Sequence, residues 1–269
     1  MSSILKTNTL LLKLFSLLSV VRGYNILVLI AAQYLAAIFI FSDQKSIKPV
    51  LFDWHLLYLV IATVSVVASG YIINNFYDKN ADRINRPIKS GLDSYVKQET
   101  KLSLYFFLNF VGFVFGWLVS WKAALFFAVY IFGIWFYSHK LKKHPFIGLI
   151  SVTILTILPF FVIFIHYKNF SKVIFIHAIF LFLIIMIREL IKDLENIKGA
   201  IANNYNTFPV KYGEKNTKKL IILLMLLTLI PIGVLFNYPA IEYMKYYFYL
   251  AAFTLVFIGF YTWKATKTN

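Results

Sequence analysis

An all-α polytopic membrane bundle is what this sequence predicts, and three observations carry the expectation. They are an excess of apolar residues, eight runs long enough to cross a bilayer, and a one-sided distribution of basic residues. The chain has 269 residues, 60% apolar and 14% charged, with a mean hydropathy of +0.74. Soluble chains run about 45–50% apolar and about 25% charged, so a soluble domain of this composition could not cover its surface. The same shortage of charge excludes disorder. There is no Cys, which removes disulfides, thiolate nucleophiles and Cys-ligated metals from consideration.

A bilayer core about 30 Å thick needs roughly 20 apolar residues per helix. Eight runs meet that length, at about 24–42, 54–76, 102–119, 123–138, 146–165, 172–190, 219–236 and 246–263. Before the first, residues 4–21 are apolar but carry Lys6 and Lys13 and lead into Arg22. That pattern, lacking a small-residue cleavage site, predicts an interfacial helix entering the first span rather than a signal peptide. Connections are short except at about 77–101 and 191–218, and no Gly/Ser-rich linker interrupts the chain. Residues 1–269 are therefore expected to form a single transmembrane domain of eight helices, with a ninth left open.

Basic residues number 27 against 11 acidic ones, a net charge of +16. On alternating topology, 21 of the basic residues fall on the side of both termini and the even-numbered loops; Lys45, Lys48, Lys122, Lys168, Lys172 and Lys245 fall opposite. The positive-inside rule then places both termini and the two long connections in the cytoplasm of an integral cell-membrane protein. Topology and anionic lipid headgroups account for the charge, and no nucleic-acid partner is needed.

The acidic residues are more informative, because eight of the 11 lie in the two long connections. In the first, Asn74, Asp78 and Asp82 recur at i, i+4 and i+8, with Asn75 at i−3 from Asp78. A helix continuing past the apolar run puts them on one face, and Pro87 ends that helix. In the second, Glu189, Asp193 and Asn196 recur at i, i+4 and i+7. Intrahelical salt bridges, Glu189 to Lys192 and Asp78 or Asp82 to Lys79 or Arg83, are the competing reading of each cluster. Each cluster, however, follows an even-numbered span, four helices from the other. That placement suggests two four-helix halves around a central cavity, each presenting an oxygen-rich helix end to its cytoplasmic side. Carboxylate and amide oxygens suit Mg²⁺, which commonly bridges to substrate phosphates, and the rim of Lys and Arg suits a diphosphate.

At these residues the chain resembles the UbiA superfamily of intramembrane prenyltransferases. Asn74, Asp78, Asp82, Arg83, Asn85, Arg86 and Pro87 match that family's first signature, and Ser90-Gly91 resembles the Ser-Gly that follows. Tyr137, Ser138, Leu141 and Lys142 match a middle signature. Arg188, Glu189, Lys192, Asp193, Gly199, Thr207, Pro209 and Gly213 match the second acidic signature, and Arg22 and Asn25 fit the family's Arg-x-x-Asn. The resemblance covers almost the whole chain in order. It departs where Asn75, Asn196 and Ala200 replace aspartates and Asn206 replaces a lysine, and where eight spans stand for the family's nine.

The resemblance implies Mg²⁺ bound by Asp78, Asp82 and Asp193, with Asn74, Glu189 and Asn196 as further oxygen ligands. It implies an isoprenyl diphosphate held with the help of Arg83, Lys142, Arg188 and Lys192, with Asn25 and Asn74 also set against it. The metal would neutralise the departing pyrophosphate, and Tyr77 and Tyr137 are the aromatic candidates to stabilise an allylic cation. The Arg-Glu-x-x-Lys-Asp form is most similar to the branch that makes digeranylgeranylglyceryl phosphate. The expected partners are thus a prenyl diphosphate and a lipid acceptor within the membrane, the runner-up acceptor being a 4-hydroxybenzoate-type aromatic. A non-catalytic lipid-binding or transport protein is the rival from another class, but transport expects ionisable groups at the midplane, and here they gather at one face. The five histidines show no metal-ligand spacing and are expected to pack, while Gln33 and Asn109 are expected to hydrogen-bond between helices.

Overall fold

A computed structural model of the chain describes residues 2–42, 46–238 and 244–264, and every regular element among them is helical. Lys45 and Lys267, two of the charges used for topology, lie outside the described residues. The order is α1 (Ser2–Val20), α2 (Gly23–Ala36), α3 (Ile47–Leu51), α4 (Trp54–Tyr77), α5 (Lys79–Asn85), α6 (Pro87–Asp93) and α7 (Gln98–Val119). There follow α8 (Trp121–His139), α9 (Pro145–Tyr167), α10 (Lys172–Glu195), α11 (Ile197–Ala202), α12 (Phe208–Phe236) and α13 (Met244–Lys264). Each of the eight apolar runs coincides with a long helix. Seven helices among the described residues are long and apolar enough to cross a membrane. The eighth, α13, has 21 residues and so extends about 31 Å at 1.5 Å per residue.

Several details differ from the expectation. The first run is α2 carried on by a π-helical turn, Ala37–Phe41. The two long connections are not loops: α5 and α6 fill most of one, while α11 and the start of α12 fill the other. Pro87 acts as expected. Arg86 before it takes φ −143° and ψ 64°, since a residue preceding proline is pushed out of the helical region, and Pro87 then opens α6. Within α12, Gly213 has φ 79° and ψ 164°, a conformation only glycine adopts without strain, so the membrane-length part of α12 follows that kink.

By internal packing the chain divides into two compact units, residues 1–141 with 158–169, and residues 142–157 with 170–269. The division falls within α9, not in the loop after the fourth span. In the first unit α4 packs along α7 and also against α8 and α2, and α1 packs against α6. In lipid no hydrophobic force drives helices together, so small residues and interhelical hydrogen bonds do much of the work. Gly112 and Gly116 of α7 supply the close approach. A Cβ at 112 would lie 2.5 Å from Val66 Cγ2 and 3.2 Å from the Ala62 carbonyl of α4, and one at 116 would lie 2.6 Å from the Phe127 ring of α8. Ser69 donates to Asn109 Oδ1 at 2.6 Å across α4 and α7. Gln33, 2% exposed, donates to Thr63 Oγ1 at 3.2 Å and to the Pro159 carbonyl at 3.0 Å.

At the opposite end of α4 from Asp78, Asp53 caps the helix by accepting from the backbone N–H groups of His55 (2.9 Å) and Leu56 (3.3 Å). Its other oxygen meets His166 Nε2 at 2.6 Å. Partial burial pushes the Asp53 carboxyl up; the bonds from His166, Leu56 and His55, with the His166 charge, outweigh it and hold it below its ordinary 3.8.

The second unit is built on α10, α12 and α13. Leu190, Ile221, Leu235 and Phe248 form the buried heart of its core, with α12 packed against both α10 and α13 and Phe180 of α10 meeting Phe248 of α13 at 5.4 Å.

Candidate functional site

The first acidic cluster is shaped by the junction of α4 and α5. Asp78 alone leaves helical geometry, with φ −92° and ψ 6°. The i to i−4 hydrogen bonding nonetheless runs through it: Asp78 N–H donates to the Asn74 carbonyl (2.9 Å), Asp82 N–H to that of Asp78 (2.8 Å), and Arg86 N–H to that of Asp82 (2.8 Å). Asn74, Asp78 and Asp82 therefore stay one turn apart, as their spacing predicts, on a helix that bends instead of running straight. Asp78 is 6% exposed, Asn74 and Asp82 are half-buried, and Arg83 is exposed.

Two further parts of the sequence reach this junction. Arg22 interrupts α1 and α2 with φ 52°, a left-handed backbone that costs a non-glycine residue about 1–2 kcal/mol. The turn lays its guanidinium over the Tyr71 ring at 5.0 Å, and Asn25 Nδ2 lies 3.5 Å from the Tyr71 hydroxyl. Tyr71 is one turn before Asn74 on α4, so Arg22 and Asn25 both arrive beside the first cluster. The middle signature arrives from α8. His139 Nδ1 lies 3.1 Å from the Tyr77 hydroxyl with the rings 5.6 Å apart, and Trp135 stacks on the same imidazole at 5.4 Å. Tyr137 lies on this last turn of α8, half-buried. Sequence reasoning missed Tyr71 and assigned His139 to general packing. The available signals were a helical offset of three from Asn74 and adjacency to Tyr137-Ser138.

The second cluster ends α10. Glu189, 4% exposed, is ion-paired with Arg188 at 3.3 Å and with Lys192 one turn on. The intrahelical bridge from Glu189 to Lys192 that competed with a ligand role is thus present. Asp193, half-buried, has Lys192, Glu189 and Lys142 as its charged neighbours. Lys142 also lies 5.6 Å over the Tyr205 ring. Asn196 terminates α10, its Nδ2 donating to the Lys192 carbonyl at 2.6 Å. Asn206 N–H donates to the Lys143 carbonyl at 3.1 Å, tying the loop before α12 to the turn that carries Lys142. Thr207 Oγ1 beside it is buried and has no hydrogen-bond partner among the described residues.

Among the described residues, no three His, Asp or Glu side chains gather closely enough to hold a metal ion by themselves. Mg²⁺ rarely asks for that, because it is bound through one or two carboxylates plus substrate phosphates and waters. Asn74, Asp78 and Asp82 supply two carboxylates and an amide oxygen and fit such a site. Glu189, already shared between two cations, is a poorer donor than Asp193.

The sequence pattern of the UbiA prenyltransferase family matches residues 29–269. A digeranylgeranylglyceryl phosphate synthase of Methanosphaera stadtmanae is 35% identical over 175 residues, which cover 63% of this chain and 62% of that protein. One from Methanobrevibacter smithii is 32% identical over 209 residues, covering 73% of this chain and 69% of the other. The alignment thus spans a little under two thirds of the first relative's length. Among solved structures, a UbiA homolog from Archaeoglobus fulgidus bound to DMAPP and Mg²⁺ superposes with a TM-score of 0.73 at 14% identity, over 91% of this chain and 86% of that one. At that identity the likeness concerns the fold.

Proposed function

We infer the function from one premise: this chain belongs to the UbiA prenyltransferase family. We propose that it is a Mg²⁺-dependent intramembrane prenyltransferase, moving an isoprenyl group from a prenyl diphosphate to a lipid acceptor such as geranylgeranylglyceryl phosphate. The names of its relatives support that acceptor. The observation that carries the reading is the gathering of oxygen donors at the first acidic helix end and of acid with base at the second. Asp78 lies at the bend of α4 and α5 with Asn74 and Asp82 one turn to either side, and Asp193 has Lys142 and Lys192 as neighbours. We further propose that residues 1–269 act as a single transmembrane domain, and that both acidic ends and both termini face the cytoplasm.

In this reading Asn74, Asp78 and Asp82 would hold Mg²⁺, and Asp193 would serve as a further metal ligand. When bound, the metal neutralises charge developing on the leaving pyrophosphate. Arg83, Lys142, Arg188 and Lys192 bind the diphosphate oxygens and orient the allylic C–O bond for ionisation. Asn25 and Arg22 are held against Tyr71, so their polar ends are fixed beside the same junction. The apolar walls exclude water, which would otherwise capture the allylic cation, and Tyr77 and Tyr137 offer ring faces to that cation. The allylic C–O bond breaks with its electron pair going to pyrophosphate, the acceptor hydroxyl oxygen then forms the new C–O bond to the cation, and its proton passes to the released pyrophosphate. The test is pyrophosphate release by the purified full chain with Mg²⁺, geranylgeranyl diphosphate and geranylgeranylglyceryl phosphate. Release should occur, and Asp78→Asn or Asp193→Asn should lower it by about 100-fold or more. Turnover of 4-hydroxybenzoate but not of the lipid would overturn the acceptor. Full activity in both variants would overturn the metal assignment.

A further inference from the structure

Beneath the first acidic cluster lies a buried polar network that the proposed reaction does not use. Asn75 of α4, at a position where the sequence signature expects aspartate, donates through Nδ2 to Asp93 Oδ2 at 3.0 Å. Its Oδ1 accepts from Lys101 Nζ at 3.3 Å. Asp93 also accepts from Lys89 Nζ (2.8 Å) and, on Oδ1, from the Ser19 hydroxyl (2.8 Å). Asp93 and Lys101 are 3% and 4% exposed. Five residues from α1, α4, α6 and α7 thus converge on one site, and the chain between Asn75 and Asp93 is the segment that carries Asp78, Asp82, Arg83 and Arg86.

The chemistry fixes the orientation of the amide. A lysine ammonium can only donate and a carboxylate can only accept, so position 75 must present an acceptor to Lys101 and a donor to Asp93. Asparagine does both. Aspartate can do only the first, and would set two carboxylates against each other where a 3.0 Å N–H to O bond now runs. Like charges so close and so buried disfavour each other.

We propose that Asn75 and Asp93 are a matched pair of positioning residues, which with Lys101 pin the α5–α6 segment against the end of α4. Asn75 is therefore not a degraded metal ligand. The replacement of a carboxylate at 75 is coupled to the carboxylate at 93, and the pair keeps one negative charge beside the buried Lys101. The consequence for turnover rests on the transferase reading above; the coupling itself does not.

The test is a swap. N75D, D93N and the double variant N75D/D93N are compared with the native chain by hydrogen exchange of the 79–93 backbone amides, by Tm, and by kcat and KM for pyrophosphate release. N75D loses the donor, and D93N leaves Lys101 buried without a carboxylate. Each single change should speed exchange across 79–93 by about tenfold or more, the scale of losing a charged hydrogen bond, and lower kcat with little change in KM for the acceptor. The double variant restores one carboxylate and one amide in exchanged positions, giving up only the Lys89 contact, and should recover most of the protection and most of kcat. A generally destabilised protein would show no such recovery. The proposal falls if N75D exchanges and turns over like the native chain, or if the double variant is no better than the worse single one, including failure to fold. If the native chain releases no pyrophosphate while exchange follows the swap, the transferase reading fails and the pairing stands.

Discussion

The glycines of α7 set a measurable limit on how far α4 can move. Gly112→Ala would put a methyl 2.5 Å from Val66 Cγ2 and 3.2 Å from the Ala62 carbonyl. Val66 is wholly buried and the carbonyl is backbone, so neither can turn away and the helices must separate. Overpacking of this kind costs about 1–3 kcal/mol. It is partly hidden by the gain in helix propensity on replacing glycine with alanine, about 1 kcal/mol. Gly233→Ala, in α12, meets nothing within 4 Å and collects the same gain without the clash. The propensity term cancels in the difference, which isolates the contact. Gly112→Ala should therefore melt below Gly233→Ala by an amount corresponding to about 1–3 kcal/mol, at roughly 2–4 °C per kcal/mol. Because α4 carries Asn74 and leads directly into Asp78, turnover should fall in the first variant and not in the second. Thermal unfolding of the purified proteins in one detergent reads the comparison. A Gly112→Ala protein melting at or above Gly233→Ala would refute the close-packing argument.

Other outcomes are accessible to simpler measurements. Tyr77→Phe keeps the ring contact with His139 but deletes the 3.1 Å bond, so Tm should fall by the equivalent of about 0.5–1.5 kcal/mol. Thr207→Val removes a buried hydroxyl with no partner among the described residues; unfolding without substrate should show unchanged or raised stability, and a marked loss would mean that the hydroxyl is bonded. Asp53 is held below its ordinary 3.8, so it binds fewer protons folded than unfolded in that window and stabilises the fold above it. The Tm advantage of the native chain over Asp53→Asn should be full above about pH 5 and shrink as pH falls through the depressed value. The chain has no Cys, so single cysteines report cleanly on sidedness. An impermeant maleimide applied to intact cells should label Phe170→Cys and spare Tyr95→Cys, both exposed positions, and the reverse would overturn the proposed orientation.

The long helices were legible because lipid imposes a length and a composition that no soluble element shares. The one-turn spacing of Asn74, Asp78 and Asp82 was legible because a helix repeats locally, and the structure keeps that spacing. What escaped was whatever depends on partners far apart in sequence. Asp53 finds His166 at a separation of 113 residues. Asn75 finds Asp93 and Lys101 at separations of 18 and 26, and Tyr77 finds His139 at 62. Periodicity along one helix cannot choose among such pairs. It also gave no warning of the bend at Asp78 or of the division within α9, because neither changes the apolar pattern. At Glu189 the sequence offered both a ligand and a salt bridge, and the structure forms the bridge to Lys192, with Arg188 beside it.

Both acidic clusters occur where a 24-residue helix gives way to a short one, α4 to α5 and α10 to α11. At each junction the i to i−4 bonding carries through, Asp78 N–H to the Asn74 carbonyl and Asn196 N–H to the Lys192 carbonyl. The last carbonyls of each long helix are thus taken up by the next helix, and little remains of the roughly half elementary negative charge that a free helix end exposes. Whatever attraction these bends hold for a cation must come from side chains, and the backbone offers no substitute for a carboxylate at 78 or 193.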